Sequence, residues 1–366
     1  MPIKFKVTKE AILDGLQRVQ NVVSTRTTLP ILSNVLVQAA SGGLSLTTTD
    51  LDVAVRCKVE ADVSKAGSTT LPARRLFSIL KEVVAPEIEV EVDDRNAAAI
   101  RCGTSFYKIM GLPEEEFPRF PEAGTAKALK IEQSVLRGML KKTAYAVSSD
   151  ETRYVLNGVF MGFKGDKLTA VATDGRRLAL TEHEIEVPKG GETELIVPTK
   201  AVGELERLLG DKGEVKLSIG ENQILFELDG TTLASKLIEG TYPNFRQVIP
   251  TETKERITLE RELLLAALHR ASILASEKSQ SVKLNFAKNT LTITATTPEV
   301  GEAKETLSIN YKGKEITIAF NPQYLMDPLR NLDADEVFLE LIDELSPGVV
   351  KVNEPFLYVL MPMRLS

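Results

Sequence analysis

One pattern occurs three times along this chain. Val7 is followed by Ala11, Ile12 and Leu16, Ile131 by Val135, Leu136 and Leu140, and Leu259 by Leu263, Leu264 and Leu268. In each set the later residues stand four, five and nine positions after the first, the spacing of a strand end that runs into a helix with one apolar stripe. The starting residues of successive sets lie 124 and 128 apart. A second series keeps the phase: Pro72, Pro198 and Pro322, spaced by 126 and 124, each open a helix-like stretch. Proline suits a first helical turn because its missing N–H would have no partner there. Leu76 and Ile79, Val202 and Leu205, and Met326 and Leu329 follow four and seven residues on. A repeat of this length constrains the architecture more than any single motif, because every copy must adopt the same fold.

Between the two helices of each copy lie strand-like segments: residues 34–38 with 44–49, 158–162 with 168–173, and 282–286 with 291–296. Ser41-Gly-Gly, Lys164-Gly-Asp and Ala287-Lys-Asn join them and read as hairpin turns. Thr49-Asp50, Thr173-Asp174 and Thr297-Pro298 recur at intervals of 124. The chain therefore reads as an α+β protein of three domains, 1–126, 127–252 and 253–366, each with two helices packed on antiparallel sheet. The breaks fall in polar stretches near Gly124–Lys127 and Thr251–Glu255.

A chain of 366 residues has room for three such domains. The opening Met-Pro-Ile-Lys-Phe-Lys lacks the apolar core of a signal peptide, and no run approaches the roughly 18 apolar residues of a membrane helix, so a cytosolic protein without membrane contact is expected. Cys57 and Cys102 have no metal or redox spacing and read as small core side chains on strands. His183 and His269 lack companion ligands at helical spacing and read as structural. No metal and no cofactor is expected.

The net charge of −6 excludes a protein that holds nucleic acid by being basic throughout, so any positive surface must be local. On the expected helices, 8–24, 72–84, 132–148, 198–210, 260–276 and 322–333, Lys and Arg number 13 and Asp and Glu 10, a balance of +3 against −9 elsewhere. Arg74 with Arg75, and Arg137 with Lys141 and Lys142, form the densest groups, the trio spaced to share a helix face. A weakly positive surface lets DNA slide where a dense patch would pin it. Aromatic residues do not interleave with these cations, which disfavours a single-strand platform.

Ala172-Thr-Asp-Gly-Arg-Arg-Leu-Ala179, Tyr242-Pro-Asn-Phe-Arg-Gln-Val-Ile-Pro250 and Tyr358-Val-Leu-Met-Pro-Met-Arg-Leu365 closely resemble the signature stretches of bacterial beta sliding clamps, as do Thr28–Asn34 and Tyr154–Gly158. With the triple repeat, the resemblance covers essentially the whole chain. It implies a non-catalytic processivity subunit: a head-to-tail homodimeric ring with helices lining a hole for double-stranded DNA and sheets outside. The partners implied are the replicative polymerase catalytic subunit, the clamp loader, other polymerases, repair factors and ligase, each docking through a short linear peptide. For that peptide the resemblance implies a pocket between the second and third repeats, formed by Leu156, Thr173, Gly175, Arg176, Arg177, Leu178, Pro243, Arg246, Val248, Asn321, Tyr324, Ser346, Val359, Met361, Pro362, Met363 and Arg364. It places Arg26, Arg74, Arg137, Lys141, Lys142, Tyr154 and Lys200 toward DNA. It places Arg75 and Phe106 of one subunit against Ile273 and Leu274 of the other. Three positions depart from the pattern: Ser279 where a bulky aromatic can flank the pocket, Gln247 in place of an arginine, and Asp150 at a loop expected to meet DNA.

Read alone, Thr-Asp-Gly is a common turn and Met361 and Met363 are ordinary last-strand residues. An enzyme with Asp174 or Asp50 as a working carboxylate near Arg176 and Arg177 is the main rival, but no phosphate-cradling glycine motif or nucleophile elbow accompanies them, and the third repeat has Thr297-Pro298 instead of an aspartate. A monomeric peptide-binding adaptor of the same ancestry is the other rival.

Overall fold

The computed structural model describes residues 3–23, 28–122, 127–188, 190–275, 281–298 and 300–364. The first repeat runs β1 (Ile3–Thr8), α1 (Lys9–Val19), β2 (Asn34–Ala40), β3 (Gly43–Thr49), β4 (Val53–Val59), β5 (Asp62–Lys65), β6 (Gly67–Pro72), α2 (Ala73–Glu82), β7 (Glu87–Val92), β8 (Ala97–Cys102) and β9 (Ser105–Met110). The second runs β10 (Lys127–Glu132), α3 (Gln133–Thr143), β11 (Gly158–Phe163), β12 (Lys167–Thr173), β13 (Arg177–Glu184), β14 (Thr193–Pro198), α4 (Thr199–Leu208), β15 (Glu214–Ile219), β16 (Gln223–Leu228) and β17 (Thr231–Lys236). The third runs β18 (Glu255–Glu260), α5 (Arg261–Ser272), β19 (Val282–Ala287), β20 (Thr290–Thr297), β21 (Gly301–Ser308), β22 (Ile316–Phe320), α6 (Pro322–Asn331), β23 (Glu336–Leu341), β24 (Gly348–Lys351) and β25 (Phe356–Leu360). The order is the same three times, with β5 as an addition in the first copy.

All six expected helices are present but shorter than their apolar periodicity suggests. After α1 and α3 the chain tightens into 3-10 turns, Gln20–Val22 and Ala144–Ala146. Pro322 opens α6 as expected, whereas Pro72 and Pro198 are the last residues of β6 and β14, one position before their helices. Thr8 starts α1 by accepting from the Ala11 N–H at 3.2 Å, which satisfies one of the donors a helix start leaves unpaired. The three hairpins form where glycine, asparagine and aspartate allow left-handed backbone: Gly165 and Asp166 stand at φ +58° and +53°, and Asn289 at +57°. Cys57 on β4 and Cys102 on β8 are buried and free. Burial pushes the Cys57 thiol up to about 12, leaving no reactive thiolate near neutrality.

The chain divides into two compact units, each of which takes in parts of more than one repeat. The first comprises residues 1–137 and 200–237, the second 138–199 and 238–366. Hydrogen bonding between repeats is the cause. Within the first unit, β4 pairs antiparallel with β17, fusing strands of the first and second repeats into one sheet of order β10-β15-β16-β17-β4-β3-β2-β6. Within the second unit, β13 pairs with β25 in the same way, giving β14-β11-β12-β13-β25-β24-β23-β18. The middle repeat lends half of its strands to each sheet. The sheets β5-β1-β7-β8-β9 in the first unit and β21-β20-β19-β22 in the second are smaller, with edges β5 and β9 in one and β21 and β22 in the other.

Helix α1 lies close on β3 and β4 because Gly15 carries no side chain. A Cβ there would stand 2.4 Å from Val59 Cγ2 and 3.1 Å from Leu46 Cδ1, both buried. Alanine gains roughly 1 kcal/mol over glycine in a helix, but overpacking a tight core costs about 1–3 kcal/mol, and at 2.4 Å the second effect wins. Gly15→Ala is expected to lower stability by roughly 1–2 kcal/mol in denaturant unfolding. At Gly203 on α4, where an added Cβ meets nothing within 4 Å, Gly203→Ala should raise it by up to about 1 kcal/mol.

Candidate functional site

The segment Thr173-Asp174-Gly175-Arg176-Arg177 is the β12–β13 hairpin turn, and its side chains tie it to itself. Thr173 Oγ1 donates to the Arg177 carbonyl at 2.6 Å and accepts from the Gly175 N–H at 3.1 Å. Asp174 Oδ1 accepts from the N–H groups of Arg176 and Arg177 at 2.8 and 3.0 Å. Gly175 sits at φ +84°, where a side chain is strained, and an added Cβ would stand 2.9 Å from the Arg153 guanidinium. The turn reading of Thr-Asp-Gly is thus correct, and the turn also borders a cleft.

Arg177 organises that cleft. Its side chain is only 9% exposed. It donates to Asp174 at 3.1 Å, to Asp327 on α6, and to the Tyr145 carbonyl at 2.6 Å, while its guanidinium lies 4.3 Å from the centre of the Tyr324 ring. Burial works against the charged form, but Tyr358 and Asp327 beside it favour it, and the balance holds the guanidinium above its ordinary pKa. One cation therefore joins the hairpin, the turn after α3 and the start of α6. Breaking a buried pair of this kind strands the remaining charge, so removing one partner costs more than the intact pair contributes.

Helix α6 contributes a second fastening. Asn321 caps it, accepting from the Gln323 and Tyr324 N–H groups at 2.9 and 3.4 Å. Pro328 lies inside the helix and has no N–H to give the Tyr324 carbonyl four residues earlier. The buried Tyr358 of β25 donates its hydroxyl to that carbonyl at 2.8 Å. The gap left by proline is thereby closed by a side chain from the sheet.

Around this frame the expected pocket residues gather within the second unit. Leu156, Leu178 and Val359 are buried in one apolar cluster with Phe160, Leu180 and Tyr242, and Leu178 faces Val359 directly across β13 and β25. After β25 the chain stays attached, since the Met361 N–H donates to the Arg176 carbonyl at 3.0 Å and the Met363 N–H to the Ala319 carbonyl at 2.7 Å. Met361 and Val248 are about half exposed, Pro362 and Met363 partly buried, Arg364 exposed and Ser346 partly buried. A cleft of about 390 Å³ collects Arg176, Arg177 and Tyr324 with Asp150, Arg153 and Asp174. Pro243 and Arg246 line a separate cleft of about 270 Å³ with Phe160, Tyr242 and Phe245. Parts of the expected set are thus brought together, but they line two separate clefts rather than one cavity. The Arg177–Asp327 pair and the Tyr358–Tyr324 hydrogen bond were not singled out from the sequence; for the second, a proline inside a helical stretch was the available signal, because its missing donor calls for a substitute.

The first unit contains the counterpart of this site, altered. Thr49 Oγ1 accepts from the Leu51 N–H and donates to the Val53 carbonyl, both at 3.0 Å, repeating the Thr173 pattern. Asp50 Oδ1 accepts from the Asp52 and Val53 N–H groups as Asp174 does from its own neighbours. Leu51, however, occupies the left-handed position at φ +82° where the other turn has glycine. Ala54 faces Ala234 where Leu178 faces Val359. Lys200 stands two residues after Pro198 where Tyr324 stands two after Pro322, and it pairs with Asp50. The backbone motif is shared, but the apolar floor and the ring are not.

The residues expected toward DNA are mostly paired. Lys141 meets Asp333 at 2.9 Å, Arg137 meets Asp211 at 2.8 Å, Lys142 pairs with Glu354 and Lys200 with Asp50. Arg74 is exposed and Tyr154 is 58% exposed on the 3-10 turn Glu151–Leu156. Asp150 caps that turn, accepting from the Thr152 N–H at 3.0 Å, which gives the acid a structural reason. Of the interface residues, Phe106 on the edge strand β9 and Ile273 just after α5 are 59% and 69% exposed, Arg75 is exposed and Leu274 partly buried. Gln247 is exposed on the 3-10 turn Phe245–Val248. Arg26 and Ser279 lie outside the described residues. His183 on β13 and His269 on α5 are exposed. Among the described residues no group of three or more His, Cys, Asp or Glu could hold a metal ion, and no helix is long and apolar enough to cross a membrane.

Family profiles described as the N-terminal, central and C-terminal domains of the DNA polymerase III beta subunit match residues 3–121, 130–244 and 246–364. The chain belongs to the DNA polymerase III beta subunit family. It is 35% identical over 363 residues to a beta sliding clamp of Chlamydia pneumoniae, covering 99% of each chain. It is 36% identical over 366 residues to one of Pseudomonas putida, covering 99% of this chain and 100% of that one. The crystal structure of the Bacillus subtilis DNA polymerase sliding clamp matches with a TM-score of 0.95 at 29% identity, covering both chains fully. A Bartonella birtlesii sliding clamp bound to griselimycin matches with a TM-score of 0.95 at 34% identity, also over both full chains. As a member of this family the chain is a sliding clamp, a DNA polymerase processivity factor without an enzymatic activity of its own.

The fastening of α6 to β25 can be tested alone. Tyr358→Phe leaves the Tyr324 carbonyl unsatisfied and is expected to lower stability by roughly 1–2 kcal/mol. In a Pro328→Ala background, where residue 328 regains an N–H, the same substitution should cost less than about half as much in a double-mutant unfolding cycle. Equal costs in both backgrounds would show that the hydroxyl does not stand in for the missing helix donor.

Proposed function

We propose that two copies of this chain form a closed head-to-tail ring around double-stranded DNA, with repeats 1–126, 127–252 and 253–366 as its domains. The open edges carry this reading. By position in the repeat, β21 is the counterpart of β4 and β13, and β9 is the counterpart of β17 and β25. Within each unit the first kind of strand pairs with the second kind: β4 with β17, β13 with β25. Edges β21 and β9 are therefore one such pair left unmade, and an exposed edge strand is a template for another chain. A second copy supplies both missing partners, and a heterologous contact that closes after two subunits does not grow into filaments. Phe106 and Met110 on β9, exposed together with Ile273, form the apolar centre, and Arg75 belongs to the charged rim.

Carrying the register of the two internal pairings over to this contact sets Glu302 opposite Lys108. Glu302→Lys alone and Lys108→Glu alone are each expected to weaken the dimer several-fold in light scattering, and the double exchange to restore it. A mass near one chain for the unaltered protein at micromolar concentration would instead favour the monomeric adaptor.

Linkage by topology replaces tight binding, so the surface toward DNA need only screen phosphates. Arg26, Arg74, Arg137, Lys141, Lys142, Tyr154 and Lys200 are proposed there, and cytosolic residence near the chromosome follows. The region around Arg177 is proposed as the docking site for short peptides of the replicative polymerase, the clamp loader, other polymerases, repair factors and ligase. Its buried Leu178 and Val359, the pliable Met361 and Met363, and the open Gly175 suit a ligand whose backbone approaches closely while its apolar side chains sink. The deciding experiment loads the protein on nicked circular DNA and then linearises the DNA. Retention on the circle and loss from the linear form are expected, and equal retention on both would contradict a sliding ring.

A further inference from the structure

Formal charge and available charge differ on the helices. The three cations of α3 each meet a carboxylate from elsewhere in the fold: Arg137 with Asp211, Lys141 with Asp333, Lys142 with Glu354. The other helices repeat this. On α4, Lys200 pairs with Asp50 and Arg207 with Glu204; on α5, Arg261 with Glu262 and Arg270 with Glu305. Arg18 on α1 pairs with Asp14, and Arg330 on α6 stands 3.9 Å from Asp327. Lys9 of α1 donates its ammonium to the carbonyls of Lys81 and Val83. Helix α2 alone is different. Arg74, Arg75 and Lys81 are exposed, and among the described residues none of them has a carboxylate partner.

Asp211 and Asp333 are 89% and 84% exposed and lie just beyond the ends of α4 and α6, and Glu354 lies in the β24–β25 turn. Carboxylates so open to water add little to stability when paired. What they change is the field of α3, because a lysine that already holds a carboxylate must release it to take a phosphate, and the released acid then repels the same phosphate.

We propose that Asp211, Asp333 and Glu354 are built-in counterions of α3, which leave α2 as the helix whose free cations meet the DNA backbone. Arg74 and Lys81, seven residues apart, share a face of α2; Arg75, about 100° further round the helix, falls to the subunit contact proposed above. Among the described residues of the six helices, the duplex then meets about two unneutralised side chains per subunit, too few to pin it. The inference rests on the sliding-ring reading, whose own test is retention on circular DNA.

The experiment is anisotropy titration of the full-length dimer with a fluorescent duplex of about 30 base pairs, across low to moderate salt. The triple variant Asp211→Asn, Asp333→Asn, Glu354→Gln should bind at least roughly tenfold more tightly at low salt, and the slope of log affinity against log salt should steepen by about one unit or more, since each added phosphate contact contributes about 0.9. The triple variant Glu115→Gln, Glu184→Gln, Glu186→Gln changes net charge equally at exposed acids that hold no helix cation, and should move neither reading by more than about a third as much. Arg74→Ala with Lys81→Ala should remove most of the binding of the unaltered protein. Unchanged affinity and slope in the first variant, or an equal gain in the second, would overturn the counterion assignment. A clamp that leaves circular and linear DNA alike would overturn the ring reading and leave the anisotropy comparison intact.

Discussion

Backbone hydrogen bonds that cross from one repeat to the next, β4 to β17 and β13 to β25, set the terms for the rest of this structure. A strand edge left open is a liability. Joining an edge of one repeat to an edge of the next satisfies four of these edges and makes continuous eight-stranded sheets. The compact units of the chain consequently do not coincide with its repeats. The same constraint leaves β9 and β21 unmatched within one copy, so the logic that builds the monomer also points to how a second copy would add to it.

The two internal junctions share a backbone and differ in side chains. Both turns place a threonine and an aspartate to bind the loop, and both put their third residue in the left-handed region. At one of them leucine fills that position, alanines face each other across the strands and a lysine sits on the aspartate. At the other, glycine leaves the rim open, leucine and valine form an apolar floor, and tyrosine lies over a buried arginine. Repetition provided two equivalent scaffolds; the docking proposed for the second junction draws on its glycine rim and its leucine and valine floor, where the first has leucine and alanines.

Much of this was legible before any coordinates. Helix and strand periodicity, the proline and turn signals and the 124-residue phase located all six helices, the three hairpins and the triple order of elements, because these depend on residues within about ten positions of one another. The threonine–aspartate turns were equally readable. Less visible were the partners of the charged side chains. Arg177 with Asp327, Lys141 with Asp333 and Lys142 with Glu354 join residues more than 140 apart in the chain, and no local spacing announces them. A charge count therefore suggested a basic helix surface where folding placed neutral pairs.

The sequence by itself determined a thrice-repeated α+β chain with amphipathic helices, buried thiols and no metal-binding spacing, since each of these follows from composition and local period. Tertiary structure decided which strand edges meet, which cations keep their charge, and that Tyr358 supplies the hydrogen bond Pro328 withholds. Those outcomes depend on distances between residues that the chain brings together only by folding, and a side chain's charge or hydrogen-bonding capacity is available for function only when no such neighbour has taken it.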